Sequence, residues 1–323
     1  MSESILVLNA GSSSIKFALY RVHGDRLGER VLGGQVAGIR DKPQLNVTDA
    51  NGRRSVRLQR AAEPAAAPAQ ALGRLLDWLQ TELAGERLKA IGHRVVHGGE
   101  RFAAPVRIDD EAIRALQSLV PIARLHQPYE IDAILALRRR RPGMPQIACF
   151  DTAFHRTLPT VAQLFPLPRA IIDSGVRRYG FHGLSYAYIA TRLPELLAGL
   201  PVAAERARVV VAHLGSGSSL CALRGGQSIA TTMGFTALDG LMMATRAGSV
   251  DPGILLYLMQ ERGMSAQQVS DMLYHHSVLD AQANARHETR ISAAASAIPV
   301  WVVPTDEELM IARETLRLTA ASP

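Results

Sequence analysis

The hydrophobic and polar positions of the chain predict strands and helices that alternate along it. Short apolar runs favour strands at residues 5–8, 15–20, 88–96 and 145–150. Apolar residues at helical spacing favour helices over residues 68–83, 110–120, 129–140, 186–197 and 306–318. The first of these predicted helices carries four leucines on one face, which are Leu72, Leu75, Leu76 and Leu79. Strands that alternate with helices indicate an α/β architecture.

One strand–loop–strand unit occurs twice in the chain. Residues 5–20 read ILVLNAGSSSIKFALY, and residues 209–223 read VVVAHLGSGSSLCAL. Gly11 aligns with Gly215, so we expect two structurally similar halves. Glycines let a backbone approach a ligand closely, and successive N–H groups with serine hydroxyls form an anion site. The repeat therefore predicts two hairpins that grip a polyphosphate, with the ammonium of Lys16 as a further contact; the alternative is a pair of ordinary tight turns.

Composition describes an ordinary globular chain. It has 323 residues, of which 47% are hydrophobic and 20% are charged, which is enough for two domains and excludes collagen-like or disordered proteins. No apolar run approaches the roughly 20 residues of a membrane span, and residues 1–14 do not resemble a secretory signal. Cys149 and Cys221 form no CxxC motif, which argues against a disulfide framework or a zinc knuckle. We therefore expect a cytoplasmic protein with no membrane partner.

The net charge of +7 does not predict a nucleic-acid partner. The chain contains 33 Arg and 3 Lys residues, and its densest basic run, residues 138–141, closes a predicted helix. Cations suit the C-terminal end of a helix dipole. No basic motif with interleaved aromatic residues accompanies the charge, so we expect no nucleic-acid binding.

Seven segments resemble the acetate kinase family and occur in the same order. They are residues 8–16, 92–100, 150–155, 179–185, 213–218, 233–252 and 304–309. The resemblance implies two actin/hexokinase-like (ribonuclease H-like) domains around a nucleotide cleft. The first would span residues 1–150, joined by a C-terminal helix at 305–323, and the second residues 151–304. It also implies a homodimer that transfers phosphate reversibly between ATP and acetate with Mg²⁺ or Mn²⁺, giving acetyl phosphate and ADP; propionate and butyrate kinases are similar alternatives.

The second half of the chain is shorter than the resemblance leads us to expect. Ser277 and Val278 run directly into residues 279–284, which are similar to a stretch far downstream in family members. The resemblance implies truncation of the second domain after about residue 277, with loss of the part that holds adenosine. A gap in a close-packed core does not simply collapse, so Ile254 and its apolar neighbours Leu255 and Leu258 would lose partners. One alternative is therefore an impaired family remnant that binds phosphate or acetate without turnover, and another is an excision that arose in assembling the gene.

The resemblance also implies the site residues. A carboxylate acceptor is already ionised near neutral pH, so catalysis requires positioning and charge neutralisation rather than a general base. The expected catalytic residues are Asp151, His182 and Arg246, and the expected acyl-substrate residues are Arg94, Val96, Leu125 and Phe181. The expected nucleotide contacts are Ser12, Ser14, Lys16, His213, Leu214, Gly215, Ser216 and Gly217. The expected magnesium ligands are Asn9 and Glu307.

Two of these expectations can be made more specific, and one alternative site can be set aside. Asp151 is expected to hold the metal or to orient Arg246, since the substrate has no proton to remove. The spacing of Thr305 and Glu308 predicts a capping box for the final helix, which leaves Glu307 for the metal. His93 and His97 are four residues apart without the glutamate of an HExxH motif, and we expect no dedicated zinc site.

Overall fold

The computed structural model describes residues 3–11, 13–58, 67–83, 86–198, 200–276 and 303–320. The chain divides into two compact units, one formed by Met1–Ala153 with Glu307–Pro323 and the other by Phe154–Asp306. Each unit contains a sheet with helices packed against it. No helix in the described ranges combines the length and the apolar character that crossing a membrane requires.

The first unit is built on a mixed sheet. Its strands are β1 (Glu3–Ala10), β2 (Ile15–His23), β3 (Arg26–Ala37), β4 (Gln44–Asp49), β5 (Gly52–Arg57), β6 (Arg87–Val95), β7 (Val106–Arg107) and β8 (Gln146–Phe150). Their order in the sheet is β5-β4-β3-β2-β1-β6-β8-β7. The pairs β1–β6 and β6–β8 are parallel, and the other neighbours are antiparallel. The centre of the sheet is therefore parallel, and one side is extended by an antiparallel meander.

Helices cover the sheets of both units. The helices are α1 (Ala67–Glu82), α2 (Asp110–Ser118), α3 (Gln127–Arg140), α4 (Thr160–Gln163), α5 (Arg169–Asp173), α6 (Gly183–Leu196), α7 (Pro252–Gln260), α8 (Ala266–His275) and α9 (Glu307–Ala320). The buried leucines of α1 share a core with Phe17 and other apolar residues of the meander. Helix α9 packs on β1, β6 and β8. A Cβ atom at Gly92 of β6 would overlap Oγ1 of Thr315, so only glycine permits this approach of α9.

The second unit contains β9 (Arg208–Leu214), β10 (Ser218–Arg224) and β11 (Gln227–Thr231) in the antiparallel order β11-β10-β9. Tyr186 and Leu193 of α6 pack with Cys221 and Leu223 of β10 in its core. Helix α7 is apolar, yet none of its side chains is buried, and Ile254 is 49% exposed. This helix thus has an apolar surface facing solvent.

The structure confirms the predicted strands and helices to within a few residues. One local prediction is wrong, because α9 begins at Glu307 and its N-cap position is therefore Asp306 rather than Thr305. The hydroxyl of Thr305 accepts a hydrogen bond of 2.9 Å from Ser185 instead. The capping box of Thr305 and Glu308 is thus not formed in the predicted register. The predicted junction at residues 277–280 lies outside the described residues.

Candidate active site

The central parallel strands explain why distant polar residues come together in the first unit. Asn9 lies near the end of β1, Arg94 near the end of β6, and Asp151 directly after β8. Leu8 pairs with His93, and Val95 pairs with Phe150, so the three strands end at nearly the same level. The carboxyl ends of parallel strands share one edge of a sheet, which is the usual place for a ligand in such folds.

Arg94 is the centre of this group. Its Nη2 lies 2.5 Å from Oδ2 of Asp151, and its Nε donates to Oδ1 of the same carboxylate at 3.3 Å. Its Nη1 donates to Oδ1 of Asn9 at 3.4 Å, and its Nε lies 3.7 Å from Oε2 of Glu307 at the start of α9. A two-pronged arginine–carboxylate pair fixes the plane of the guanidinium as well as its position. We call Asn9, Arg94, Asp151 and Glu307 the Arg94 cluster.

The Arg94 cluster lies in a buried, charged environment. Burial opposes the charge of Arg94, but the carboxylates of Asp151 and Glu307 outweigh it and raise the pKa of the guanidinium. Burial raises the pKa of Glu307 to about 7, although Arg94 pulls in the opposite direction. Burial also raises the pKa of Glu130 on α3 to about 8. Glu130 accepts a hydrogen bond of 3.1 Å from the backbone N–H of Val96, and so fixes the turn that follows β6.

The first hairpin loop lies beside the Arg94 cluster. The N–H of Gly11 donates to the carbonyl oxygen of Ser14 at 2.9 Å, which closes the turn between β1 and β2. Lys16 is exposed on β2 directly opposite Asn9, so the two side chains lie on the same face of the sheet. Ser14 is half-buried, and Ser12 lies outside the described residues. The loop therefore brings a serine and a lysine to the edge that carries Asn9.

In the second unit, His182 adopts an unusual backbone conformation at the N-terminal end of α6. Its φ angle is 59°, the only positive φ among the described residues other than glycine. Its Nδ1 lies 2.8 Å from Oγ of Ser219 on β10. The same Oγ lies 2.5 Å from the hydroxyl of Tyr186, and all three side chains are buried. A strained backbone conformation persists only where the surrounding structure holds it in place. The orientation of the His182 imidazole is therefore fixed by its surroundings.

A second histidine supports the first. The imidazole of His213, at the end of β9, stacks on that of His182 with 4.0 Å between ring centroids and 20° between planes. Nδ1 of His213 lies 2.9 Å from Oγ of Ser185, the residue that also donates to Thr305. The two rings are thus held from both sides by serine hydroxyls.

The second hairpin loop is packed against His182 and Arg246. A Cβ atom at Gly217 would lie 2.7 Å from Nη2 of Arg246 and 3.1 Å from Nε2 of His182. Nη1 of Arg246 donates to the carbonyl oxygen of Ala237 at 2.6 Å, and burial lowers the pKa of this arginine. We call His182, His213, Gly217 and Arg246 the His182 cluster. Leu214, Gly215 and Ser216 are exposed next to it.

The expected acyl-substrate residues have different surroundings. Val96 is 4% exposed and Phe181 is 2% exposed, and the carbonyl oxygen of Phe181 lies 2.9 Å from Nε2 of His155. Leu125 is 41% exposed in the turn before α3. Val96 is thus buried two residues after Arg94, Phe181 is buried directly before His182, and Leu125 lies on the surface of the first unit.

Sequence reasoning did not identify four residues that orient these clusters. They are Glu130, Ser185, Tyr186 and Ser219. Ser219 falls within the second copy of the repeat, but its partner His182 is separated from it by 37 positions. The spacing of two residues so far apart does not predict their contact. The only indication in the sequence was that Ser219 follows the glycine loop.

Chemically, each cluster offers an oriented guanidinium to a ligand, and in the Arg94 cluster two carboxylates balance its charge. The Arg94 cluster presents an oriented guanidinium together with amide and carboxylate oxygens. The His182 cluster presents an imidazole and a guanidinium against a glycine whose backbone a ligand can approach. Oriented cations and N–H donors of this kind stabilise charge that develops on a transferring phosphoryl group.

Comparison of the sequence with known proteins identifies its relatives. The sequence model of the acetokinase family matches residues 4–284. An acetate kinase of Rhodopseudomonas palustris is 50% identical over 280 residues, which is 86% of this chain and 69% of that protein. An acetate kinase from strain TIE-1 of the same species is 40% identical over 398 aligned residues, covering 98% of this chain and 99% of that protein. Since 398 exceeds the length of this chain, the relative has residues without a counterpart here, which confirms that the chain is shorter than this family member.

Comparison of the structures gives the same family. A propionate kinase from Francisella tularensis superposes with a TM-score of 0.85 and 29% identity, covering 98% of this chain and 100% of that chain. The acetate kinase of Porphyromonas gingivalis superposes with a TM-score of 0.72 and 33% identity, covering 85% of this chain and 68% of that chain. These neighbours confirm the predicted actin/hexokinase-like α/β fold. With a family match that spans most of its length, the chain belongs to the acetokinase family, a family of phosphotransferases.

Proposed function

We propose that this chain transfers a phosphoryl group reversibly between ATP and acetate, giving acetyl phosphate and ADP. The observation that carries the proposal is the Arg94 cluster, in which one arginine is held by carboxylates at the carboxyl ends of parallel strands. Membership of the acetokinase family and likeness to solved acetate and propionate kinases support the same reaction.

Two anions must meet in this reaction, so the central task is to neutralise their repulsion. Acetate is ionised near neutral pH, and no group has to remove a proton from it. Arg94 is prevented from turning by Asp151, and we assign it to the acetate carboxylate and the adjoining phosphoryl oxygens. Val96 and Phe181 are the apolar residues assigned to the methyl group of acetate, and Leu125 is a further expected contact. This arrangement lowers the barrier by positioning.

His182 and Arg246 are assigned to the phosphoryl group in transit. Both side chains are held by hydrogen bonds, to Ser219 and to the carbonyl of Ala237, so little reorganisation is needed as charge develops. The hairpin loops are assigned to the phosphates of the nucleotide, through Ser12, Ser14 and Lys16 in the first copy and through His213, Leu214, Gly215, Ser216 and Gly217 in the second.

Asn9 and Glu307 fit the divalent metal that this chemistry implies. Both offer hard oxygen donors, which suit Mg²⁺ or Mn²⁺. Burial raises the pKa of Glu307, so a nearby dication would favour its charged form. Within the described ranges, no group of three or more His, Cys, Asp or Glu side chains is arranged to hold a metal ion. This agrees with an ion that takes most of its ligands from phosphate and water, and that would neutralise phosphate charge when bound.

We further infer that the two compact units are the two actin-like domains and that the chain works as a cytoplasmic homodimer. The exposed apolar surface of α7 supports self-association. Acetate and ATP are the small-molecule partners in this proposal, and it includes no nucleic-acid or membrane partner.

The proposal is tested by measuring acetyl phosphate formation, trapped as the hydroxamate, with ATP and acetate. We expect product only when both substrates are present, and a fall in kcat on the order of 10³-fold for Arg246→Ala. Arg224→Ala, at the exposed end of β10, is the matched control. Propionate and butyrate are tested alongside, and a higher kcat/KM for either would reassign the acceptor. A folded protein that forms no acyl phosphate would contradict the proposal and favour the remnant that binds without turnover.

A further inference from the structure

The antiparallel meander of the first unit carries a row of polar residues that starts at the Arg94 cluster. Cross-strand pairing places Asn9 opposite Lys16, Lys16 opposite Gln35, Gln35 opposite Asn46, and Asn46 opposite Ser55. Residues directly opposite in a sheet point to the same face. The row therefore crosses the sheet from β1 to β5 on the face that presents Lys16.

A groove of about 440 Å³ lies over this row. Its lining includes Lys16, Arg30, Asn46, Arg53, Ser55 and Glu308. The volume falls within the range of small-molecule sites. All of these residues belong to the first unit.

Three cations in the groove, Lys16, Arg30 and Arg53, form no ion pair at contact distance among the described residues, although the carboxylate of Glu307 lies near enough to Lys16 to interact with its charge. Arg54, the neighbour of Arg53 on β5, behaves differently, because it lies 2.6 Å from the carboxylates of both Asp49 and Glu82. Against the three unpaired cations the lining offers one carboxylate, that of Glu308. Arg54 also lines the groove but is neutralised by its carboxylate partners, so Lys16, Arg30, Arg53 and Glu308 together leave an excess of two positive charges.

The neutral residues of the groove add hydrogen-bond donors. Oγ of Ser55 donates to Oδ1 of Asn46 at 2.7 Å, which turns the amide nitrogen of Asn46 away from Ser55 and leaves two N–H groups for a ligand. The guanidinium carbon of Arg30 would lie 3.1 Å from a Cβ atom at Gly33, so Arg30 lies across β3 where no side chain intervenes. Gly33 pairs with Thr48, which pairs with Arg53. Arg30 and Arg53 therefore approach the same part of the sheet.

We propose that this groove binds a small dianion that carries a hydroxyl group. The charge would pair with Lys16, Arg30 and Arg53, the anion oxygens would accept from Asn46, and the hydroxyl would donate to Glu308. Phosphate monoesters with a free hydroxyl group and hydroxylated dicarboxylates share this chemistry. The site goes beyond the proposed function, because no step of phosphoryl transfer uses Arg30, Arg53 or Asn46. A ligand here would also engage Lys16 and so compete with nucleotide phosphates; this consequence, unlike the binding itself, rests on the proposed function.

Calorimetric titration of the full chain with glycerol 3-phosphate and with malate tests the site. We expect at least one of the two probes to bind, and Arg30→Ala or Arg53→Ala to raise its Kd by about tenfold or more. Arg57→Ala is the matched control, since this arginine lies on β5 with Arg53 but does not line the groove. The probe that binds through Arg30 and Arg53 identifies the class of dianion. Thermal melting of each variant verifies folding, and Arg53→Gln repeats the test with a smaller change of shape.

Three results would overturn the proposal. They are the absence of binding by both probes, an unchanged Kd in both groove variants, and an equal loss in the Arg57→Ala control. Because the first hairpin loop is itself a phosphate candidate, Ser14→Ala is titrated as well. If Ser14→Ala lost glycerol 3-phosphate binding while Arg53→Ala kept it, the binding would take place at the hairpin loop. The proposed groove site would then be wrong.

Discussion

A Cβ atom on Gly217 would lie 2.7 Å from Nη2 of Arg246, closer than such contacts occur, so the backbone of the second hairpin loop packs directly on this guanidinium. Nε2 of His182 would be 3.1 Å from the same atom. The loop, the imidazole and the guanidinium thus form one packed group, and the missing side chain of Gly217 provides the space for it.

Gly217→Ala is expected to lower kcat by about 10²-fold, because a displacement on the order of 1 Å in a positioning group has an effect of this size. The added methyl group must push Arg246 or His182 away from its present place. Steady-state formation of acetyl phosphate measures the effect. Gly215→Ala provides the comparison within the same loop, since the nearest atom to its Cβ is at 3.4 Å and we expect a smaller change. Equal activity of Gly217→Ala and the unmodified chain would contradict the prediction.

Ser219→Ala is expected to lower kcat about tenfold and to leave KM nearly unchanged. Tyr186 and Ser219 form a chain of hydroxyls that ends at Nδ1 of His182. A phenol is the better donor of the two hydroxyls, so Tyr186 donates to Ser219 and Ser219 to Nδ1, which leaves the proton of the neutral imidazole on Nε2. Without these two hydrogen bonds, the imidazole of His182 can also carry its proton on Nδ1.

The pH profile of kcat distinguishes this positioning role from a general loss of packing. We expect its limbs to move in Ser219→Ala and, to a smaller extent, in Tyr186→Phe. Ser228→Ala is a matched control, since Ser228 is also buried and lies 2.9 Å from Nδ1 of a histidine, His155. If Ser228→Ala moved the profile as far as Ser219→Ala, the assignment of a tautomer to the Ser219 contact would fail.

Much of the secondary structure of the first unit could be predicted from the sequence. The position of its site residues depends on how the strands pair. The strand that ends at Phe150 and the helix that carries Leu72 were predictable, because apolar period and burial coincide along them. The closeness of Asn9, Arg94 and Asp151 depends on the parallel pairing of β1, β6 and β8. No local pattern encodes that pairing, so only the resemblance to a family brought these residues together before the structure did.

Side-chain networks were the part that sequence could not supply. Thr305 had the spacing of a helix cap, yet its hydroxyl is used by Ser185, which lies 120 positions away. Glu130 showed no signal at all, because a buried carboxylate on an amphipathic helix resembles any exposed one until its partner is known. Such contacts depend on tertiary packing, which overrides short-range preferences.

The contribution of His93 to stability is expected to fall as the pH drops from 6.5 toward 4, whereas Glu130 and Glu307, whose pKa values burial raises, act in the opposite direction. Burial lowers the pKa of His93 from 6.5 to about 4, and its Nε2 lies 2.8 Å from Oε1 of Gln146. Between these two pH values the unfolded chain binds a proton that the folded chain does not, so the contribution of His93 to the free energy of unfolding decreases as pH falls. The full contribution is about 3 kcal/mol.

Urea unfolding of His93→Gln at several pH values measures this contribution. The substitution removes the titrating group and keeps a donor for Gln146, so relative to the unmodified chain we expect the variant to gain stability as the pH falls from 6.5 to 4. His97, whose pKa burial also lowers to about 4, remains and accounts for part of the slope. Replacement of the exposed His275 by Gln is the control. An unchanged slope in His93→Gln would refute the prediction.

The chain is expected to self-associate through α7. Ile254, Leu256 and Tyr257 are each about half exposed on this helix, and burying such side chains yields roughly 25 cal/mol per Å² of apolar surface. Static light scattering should therefore report a dimer or a larger species, and Leu256→Glu should shift it toward the monomer of 34.9 kDa. Ile171→Glu, an exposed apolar residue of α5, tests whether added charge alone has this effect. A monodisperse monomer for the unmodified chain would be the opposite result.

Nucleotide binding is expected to be weak and to discriminate poorly between bases. The residues assigned to the triphosphate are present, among them Lys16, His213 and Gly217, with Glu307 for the metal. The resemblance implies that the missing part of the second domain would hold adenosine, and the alignment with the longer relative agrees with such a loss. Contacts to a remote base normally help to place the γ-phosphate in line with its acceptor, so their loss weakens binding and selectivity together.

Calorimetric titration with ATP, GTP and inorganic triphosphate therefore has a specific expected outcome. The three dissociation constants should lie within about tenfold of one another, because the phosphates supply most of the binding energy. Lys16→Ala should weaken all three ligands alike, since its ammonium can contact only the part they share. Arg87→Ala, an exposed cation at the start of β6, is the control for net charge. Micromolar binding of ATP with exclusion of GTP and triphosphate would mean that other residues of this chain form a base pocket, and the inferred consequence of the shortening would then be wrong.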